Sequence, residues 1–153
     1  MRNEDKSAKA VLISYLARRD YAEAELRFRL LRKGYTEEET AAALAFAKER
    51  GYIDDRRFAS QFISAGMDHK SRRRLHYELS ERGLGDDVIR CALADYTEED
   101  EKRSAVNAAR KWAQGRDLTD PVNRDKCRAY LIRNGFPYGC ACSAIADFHD
   151  FEQ

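Results

Sequence analysis

The sequence predicts an all-α fold, arranged as three tandem three-helix repeats in an elongated, curved array, right-handed or crescent-like. Three observations predict it. Ala, Leu, Glu and Arg are abundant in a chain of 153 residues that is 36% charged and holds only two prolines, a composition suited to helices. One ten-residue frame occurs three times, as "LRFRLLRKGY" from Leu26, "LHYELSERGL" from Leu75 and "CRAYLIRNGF" from Cys127. Each copy is also bracketed by recognisable helix start and stop residues.

The frame is an apolar residue, three residues, Leu, three residues, Gly, then an apolar or aromatic residue. Leu26 with Leu30, Leu75 with Leu79 and Cys127 with Leu131 share one helix face at i, i+4. The glycine that follows (Gly34, Gly83, Gly135) takes the left-handed C′ conformation at little cost, and Tyr35, Leu84 or Phe136 can fold back on the last turn. Ten residues past each glycine stands another apolar position, filled by Leu44, Leu93 and Ile145. A unit of about fifty residues has a narrow apolar stripe and buries little alone, so neighbouring units are expected to pack in a row.

Taken in order, residues 1–9 form a polar tail and 10–54 the first repeat, with helices at roughly 8–18, 21–33 and 36–50. Asp20 with Glu23 and Thr36 with Glu39 have capping-box spacing. The joint "ERGYIDDRRFASQFI" places two aspartates before two arginines, which raises the question of an acid/base or metal site. No further oxygen ligands stand nearby, and Arg56 and Arg57 oppose a dication, so a structural reading fits better. Gly51 stops a helix, Tyr52 and Ile53 tuck the crossing, Asp54 or Asp55 caps the next helix, and Phe58 and Phe62 face the core. The second repeat, 55–97, has helices at 55–66, 71–82 (Ser71 as N-cap) and 85–96. The third, 98–150, has helices at 98–114, 122–133 (Asp120 before Pro121) and 137–148, the last weakened by Pro137 and Gly139.

Charge is segregated inside a nearly neutral chain. The three middle helices hold twelve Lys/Arg against five Asp/Glu, and the three third helices hold three against eight. Helix dipoles account for Arg32, Lys33, Arg82 and Arg133 at C-termini. They do not account for Arg72, Arg73 and Arg74, placed in a first turn where a cation is disfavoured by about 0.3–1 kcal/mol. A basic stripe on the middle helices is therefore the candidate binding surface, against the alternative of a merely solvated face.

Other chemistry is poorly supported. There is no P-loop, G-x-G-x-x-G or H-E-x-x-H motif, and no nucleophile beside a candidate base. His69 and His76 read as exposed polar residues. The four cysteines, Cys91, Cys127, Cys140 and Cys142, lack zinc-ribbon spacing, and a metal at Cys140 and Cys142 would need two more ligands, with His149 the only nearby candidate. The amino terminus leads into no long apolar run, so neither a signal peptide nor a membrane span is expected, and the chain reads as cytoplasmic.

"YLARRDYAEAELRFRLLRKGY" followed by "ERGYIDDRRFASQFI" resembles the RecX family of bacterial regulatory proteins, over residues of about 10 to 148. The resemblance implies three tandem three-helix units and no enzyme activity or cofactor. It implies a negative regulator of the RecA recombinase that lies in the groove of the RecA–DNA filament. Such a protein inhibits strand exchange, ATP hydrolysis and the co-protease activity in recombination and the SOS response. The implied partner is the RecA filament, with single- or double-stranded DNA reached through it, and the protein is a monomer away from membranes. The candidate partner- or DNA-binding residues are Arg18, Arg19, Arg27, Arg29, Arg32, Lys33, Lys70, Arg72, Arg73, Arg74, Arg124, Lys126 and Arg128. The sequence departs from the family before the second middle helix, where "AGMDHKS" stands in place of a glycine-rich turn. The other reading is a stand-alone helix-turn-helix-like DNA-binding regulator, which the acidic starts of the third helices ("TEEE", "GDD") count against. A structural adaptor for another protein is a third.

Overall fold

The computed structural model describes residues 5–150, and the rest of the expected tail, 1–4, with 151–153 lies outside the described residues. Nine helices and no strands occur among the described residues: α1 (Ala8–Leu16), α2 (Glu23–Arg32), α3 (Glu37–Glu49), α4 (Asp55–Gly66), α5 (Arg72–Glu81), α6 (Asp86–Leu93), α7 (Glu98–Trp112), α8 (Pro121–Arg133) and α9 (Tyr138–Asp150). Every expected helix is present, most of them shorter by a few residues. α9 is a full helix, because Pro137 stands just before its first residue and its carbonyl accepts from the Ala141 N–H, so the ring lies where no helical N–H is needed.

The stop signal is the same in all three repeats. Gly34, Gly83 and Gly135 have φ of 98°, 84° and 92°. The residue after each glycine donates its N–H to the carbonyl five residues back: Tyr35 to Leu30 (3.2 Å), Leu84 to Leu79 (3.3 Å) and Phe136 to Leu131 (3.1 Å). This Schellman closure satisfies a terminal carbonyl and carries the following side chain into the core, where Tyr35, Leu84 and Phe136 are all buried.

The described residues group into two compact units, one of residues up to 60 with 79–89 and the other of 61–78 with those from 90 onward. In the first, α1, α2 and α3 enclose Leu12, Leu26, Leu30, Tyr35, Leu44 and Ile53. Each such side chain contributes roughly 1.5–3 kcal/mol relative to its exposed state. Ser7 caps α1 by accepting from Ala10 N–H at 3.2 Å, and Thr36 with Glu39 forms the expected capping box on α3. In the second unit, α7 packs chiefly on α9, with Ala105 and Ala109 on one side and Ala141 and Ala144 on the other, and Cys127, Leu131, Phe136 and Ile145 complete the core. Thr97 and Asp100 form a further capping box on α7, and Asp120 caps α8 ahead of Pro121.

The aspartate pair has two separate structural uses. Asp54 caps α4, accepting from the N–H groups of Arg56 (3.0 Å) and Arg57 (3.2 Å). Asp55 instead reaches 32 positions back and accepts from Glu23 N–H at 2.9 Å, the start of α2. The Asp20–Glu23 capping box does not form: α2 begins at Glu23 with Ala22 as N-cap and no local side-chain bond, so Asp20 stands too far upstream. A cap of this kind is worth about 1 kcal/mol. Burial raises the Asp55 carboxyl above its ordinary value, against the pull of the Glu23 hydrogen bond. Phe58 and Phe62 are only half-buried; the buried apolar side chains of α4 are their neighbours Ala59 and Ile63, one position round the helix. Arg82 lies 5.8 Å from the Phe58 ring centre and Lys70 5.0 Å from that of Phe62.

One joint recurs, once in each unit. In the first, Gly83 at the end of α5 lies against Ala24 at the start of α2, where a Cβ on the glycine would stand 2.4 Å from the alanine Cβ. Beside it Arg82 donates to Glu25 at 3.0 Å. In the second, Gly135 at the end of α8 lies against Ser71, where an added Cβ would stand 2.6 Å from the hydroxyl oxygen. Beside it Ser71 donates to the Asn134 carbonyl at 2.7 Å, and Arg74 donates to the Asn134 side chain at 3.3 Å. Arg82 and Asn134 each precede the frame's glycine, and Glu25 and Arg74 each precede its first leucine, so the two joints use equivalent positions.

Candidate functional site

The thirteen candidate cations divide between the two units, and within each unit only some of them line a groove. In the first unit, Tyr15 and Tyr21 meet edge to face at 5.9 Å, and cations cover them. Arg19 lies 4.0 Å from the Tyr21 ring centre, Arg29 lies 5.4 Å and 5.0 Å from those of Tyr15 and Tyr21, and Lys33 lies 5.2 Å from that of Tyr15. Arg32 is exposed beside them, and a groove of about 560 Å³ is lined by Tyr15, Glu25, Phe28, Arg29, Arg32 and Lys33. Arg27 is elsewhere, bonded to Glu37 at 2.5 Å in a groove of mixed charge, and Arg18 is exposed just beyond α1.

In the second unit the run Arg72, Arg73, Arg74 is divided by the helix itself, because successive residues project about 100° apart. Arg72 is a strap: its guanidinium donates to the Tyr96 carbonyl and lies 5.5 Å from the Tyr96 ring centre, and its N–H donates to Glu101 at 3.1 Å. Tyr96 in turn donates its hydroxyl to the Lys70 carbonyl at 2.7 Å, and burial pushes its pKa up to about 12. Arg74 is held by Glu78 at 3.1 Å and by Asn134. Arg73, exposed, and Arg74, half-buried, both line a groove of about 600 Å³ together with Tyr77, Glu78, Ile132, Arg133 and Asn134. Lys70 is bonded to Glu78 at 2.6 Å. On α8, Arg128 pairs with Asp125 at 2.9 Å, and neither it nor Arg124 nor Lys126 lines these grooves.

Each groove therefore presents three cations and one carboxylate, and that carboxylate is already engaged. Glu25 is met by Arg82 at 3.0 Å and Arg19 at 3.8 Å. Glu78 is met by Lys70 and Arg74. Burial works to raise the Glu78 carboxyl, but the hydrogen bonds from Lys70 and Arg74 outweigh it and hold the group below the usual glutamate range. A depressed folded-state pKa means that the stabilisation is complete above the unfolded value of about 4.3 and is lost as the pH falls through the folded value. Glu78→Gln is thus expected to cost on the order of 1 kcal/mol at pH 7 and to approach the parent protein below pH 4, as read by urea unfolding. An equal deficit at pH 7 and pH 3 would remove the ionic account.

The remaining candidates place no reactive group in either groove. Cys140 donates weakly to the Glu101 carbonyl, and burial raises its thiol and that of Cys127. The side chain of His149 lies outside the described residues. Among the described residues, no three of His, Cys, Asp and Glu are gathered so as to hold a metal ion, and no helix is long and apolar enough to cross a membrane. His69 is exposed and His76 half-buried.

Residues absent from the candidate set line both grooves: Tyr15 and Phe28 in one, Tyr77 and Arg133 in the other. The signal for two of them was available, since Phe28 and Tyr77 occupy the same third position of the repeated frame.

The model of the RecX first three-helix domain matches residues 8–46, and that of the RecX second three-helix domain matches residues 54–93. A regulatory protein RecX of Chromobacterium violaceum is 36% identical over 137 residues, covering 90% of this chain and 88% of the relative. The chain belongs to the RecX family. A RecX protein of Vibrio vulnificus is 32% identical over 143 residues, 92% of each chain. One from Clostridium botulinum is 28% identical over 133 residues, and there the matched region spans 63% of the relative's length. Among solved structures, RecX from Lactobacillus salivarius superposes with a TM-score of 0.78 at 20% identity, covering 92% of this chain and 93% of that one. A second crystal structure of regulatory protein RecX gives 0.80 at 22% identity, covering 92% and 71%. These two comparisons concern the fold.

Proposed function

We propose that this chain is a negative regulator of the RecA recombinase. It binds in the groove of the RecA–DNA filament and inhibits strand exchange, ATP hydrolysis and co-protease activity in recombination, repair and the SOS response. It acts in the cytoplasm as a monomer, without a cofactor. Membership of a family of regulatory proteins supports this reading, and the observation that carries it is the basic groove present on both α2 and α5. Grooves with surplus positive charge suit acidic protein surface, DNA phosphate, or both.

Stand-alone duplex recognition is the weaker reading. It would insert the start of a third helix into the major groove, and α3 opens on Glu37, Glu38 and Glu39 and α6 on Asp86 and Asp87, which phosphates repel. Binding to bare single- and double-stranded DNA across a salt series, beside binding to preformed RecA filaments, separates the two. Filaments are expected to bind the protein and to lose ATP turnover and strand exchange. Unaffected filaments together with tight, sequence-selective duplex binding would reverse the conclusion.

A further inference from the structure

Outside the buried leucines, the positions of α2 and α5 have diverged almost completely, with one exception. Across the two equivalent stretches "EAELRFRLLR" and "RRRLHYELSE", charge is reversed at four positions: Glu23 against Arg72, Glu25 against Arg74, Arg29 against Glu78 and Arg32 against Glu81. The buried leucines are retained for the core. The other position that keeps an uncharged side chain of one chemical class is Phe28 against Tyr77, and these two rings are each 63% exposed. A solvent-facing ring is not held in place by packing, so its retention through four charge reversals calls for another cause. Each ring also lines a groove with three cations whose one carboxylate is already paired.

We infer that Phe28 and Tyr77 are equivalent aromatic anchors, each seating in an apolar, carboxylate-rimmed pocket of a protein partner. Large aromatics surrounded by arginine are the residues that dominate protein interfaces, the ring supplying buried area and the rim cations supplying orientation. The charge reversals favour protein over nucleic acid as the occupant. A phosphate backbone is negative throughout and would meet the exposed Glu81 as unfavourably as it would meet Arg32 at the equivalent position favourably, whereas a protein surface can match each charge locally. Because the same anchor appears twice, the partner presents the same kind of pocket more than once, as a polymer of identical subunits does. The third repeat has Ala129 at the equivalent position and carries no anchor.

This inference rests on the filament-binding reading above, and the test distinguishes the two. Binding of the full chain is measured to RecA filaments on single-stranded DNA and, separately, to bare oligo-dT. Phe28→Ala and Tyr77→Ala are each expected to weaken filament binding about tenfold or more, Phe28→Tyr and Tyr77→Phe to restore it, and oligo-dT binding to stay unchanged. Tyr138→Ala, which removes a ring 67% exposed that lines neither groove, is expected to bind filaments as the parent does. Parent-level filament binding by both alanine variants overturns the anchors while leaving the filament reading intact. Parallel loss of oligo-dT binding replaces the protein pocket with base stacking. Failure of the parent protein to bind filaments removes the filament reading and the anchors with it.

Discussion

Gly83→Ala is expected to destabilise the protein by about 2–5 kcal/mol, and Gly51→Ala by only about 1–2 kcal/mol, although both glycines have positive φ, 84° and 72°. The left-handed conformation alone costs an alanine roughly 1–2 kcal/mol, and that is all Gly51 incurs, because nothing lies within 4 Å of its added Cβ. At Gly83 the new methyl group would stand 2.4 Å from the Cβ of Ala24, against about 3.5–4.0 Å for a favourable carbon contact. That atom is fixed to the α2 backbone and cannot rotate away, so the end of α5 must move off α2, an overpacking cost of typically 1–3 kcal/mol. Gly135→Ala belongs with Gly83, since its Cβ would displace the Ser71 hydroxyl, which both caps α5 at Arg74 N–H (3.1 Å) and bonds the Asn134 carbonyl. Urea unfolding of the three variants decides the matter. Equal losses at all three sites would mean that only the backbone conformation counts and that the joints are not close-packed.

Arg73→Glu is expected to do two things of opposite sign. It should weaken filament binding by about tenfold, the more so at low salt, because it reverses an exposed rim charge in the α5 groove. It should also raise stability by a few tenths to about 1 kcal/mol, since Arg73 stands in the first turn of α5, where the helix dipole favours an anion. A residue that lowers stability where it stands and improves binding is held there by its partner. Its neighbours behave differently. Arg72→Ala loses the strap to Tyr96, and Arg74→Ala leaves Glu78 and Asn134 short of a donor, so both are expected to lower stability. Replacing all three arginines together would confound the two effects. Arg32→Glu offers the matching change in the α2 groove, though at a helix C-terminus it costs stability. Unchanged filament affinity in Arg73→Glu and Arg32→Glu alike would take the grooves out of the interface.

What the sequence makes legible here is local. The Schellman glycines, the Thr36 capping box, Pro121 after Asp120 and the i, i+4 leucines each depend on residues within one or two turns, and all appear as expected. The features that escape the sequence are set by tertiary neighbours. Asp55 caps a helix 32 positions away, so nothing around it distinguishes it from Asp54. Arg72 looks like part of a basic cluster until the turn before α7 brings the Tyr96 carbonyl to it. The candidate surface was legible as a charge imbalance on the middle helices, but not as two grooves, because which cations are consumed by Glu37, Glu78 or Asp125 depends on packing.

The two joints also bear on whether such a chain can be lengthened or rearranged. At equivalent positions one uses Arg82 with Glu25 and the other Asn134 with Arg74, so donor and acceptor have changed places between them. A repeat ending in Arg82 set against one beginning with Arg74 would bring two guanidinium groups together, and one ending in Asn134 set against Glu25 would leave that carboxylate without its cation. Each seam fits its own partner, so the repeats are not freely interchangeable modules: duplicating the second repeat would create the first of these mismatches, and setting the third directly against the first would create the other.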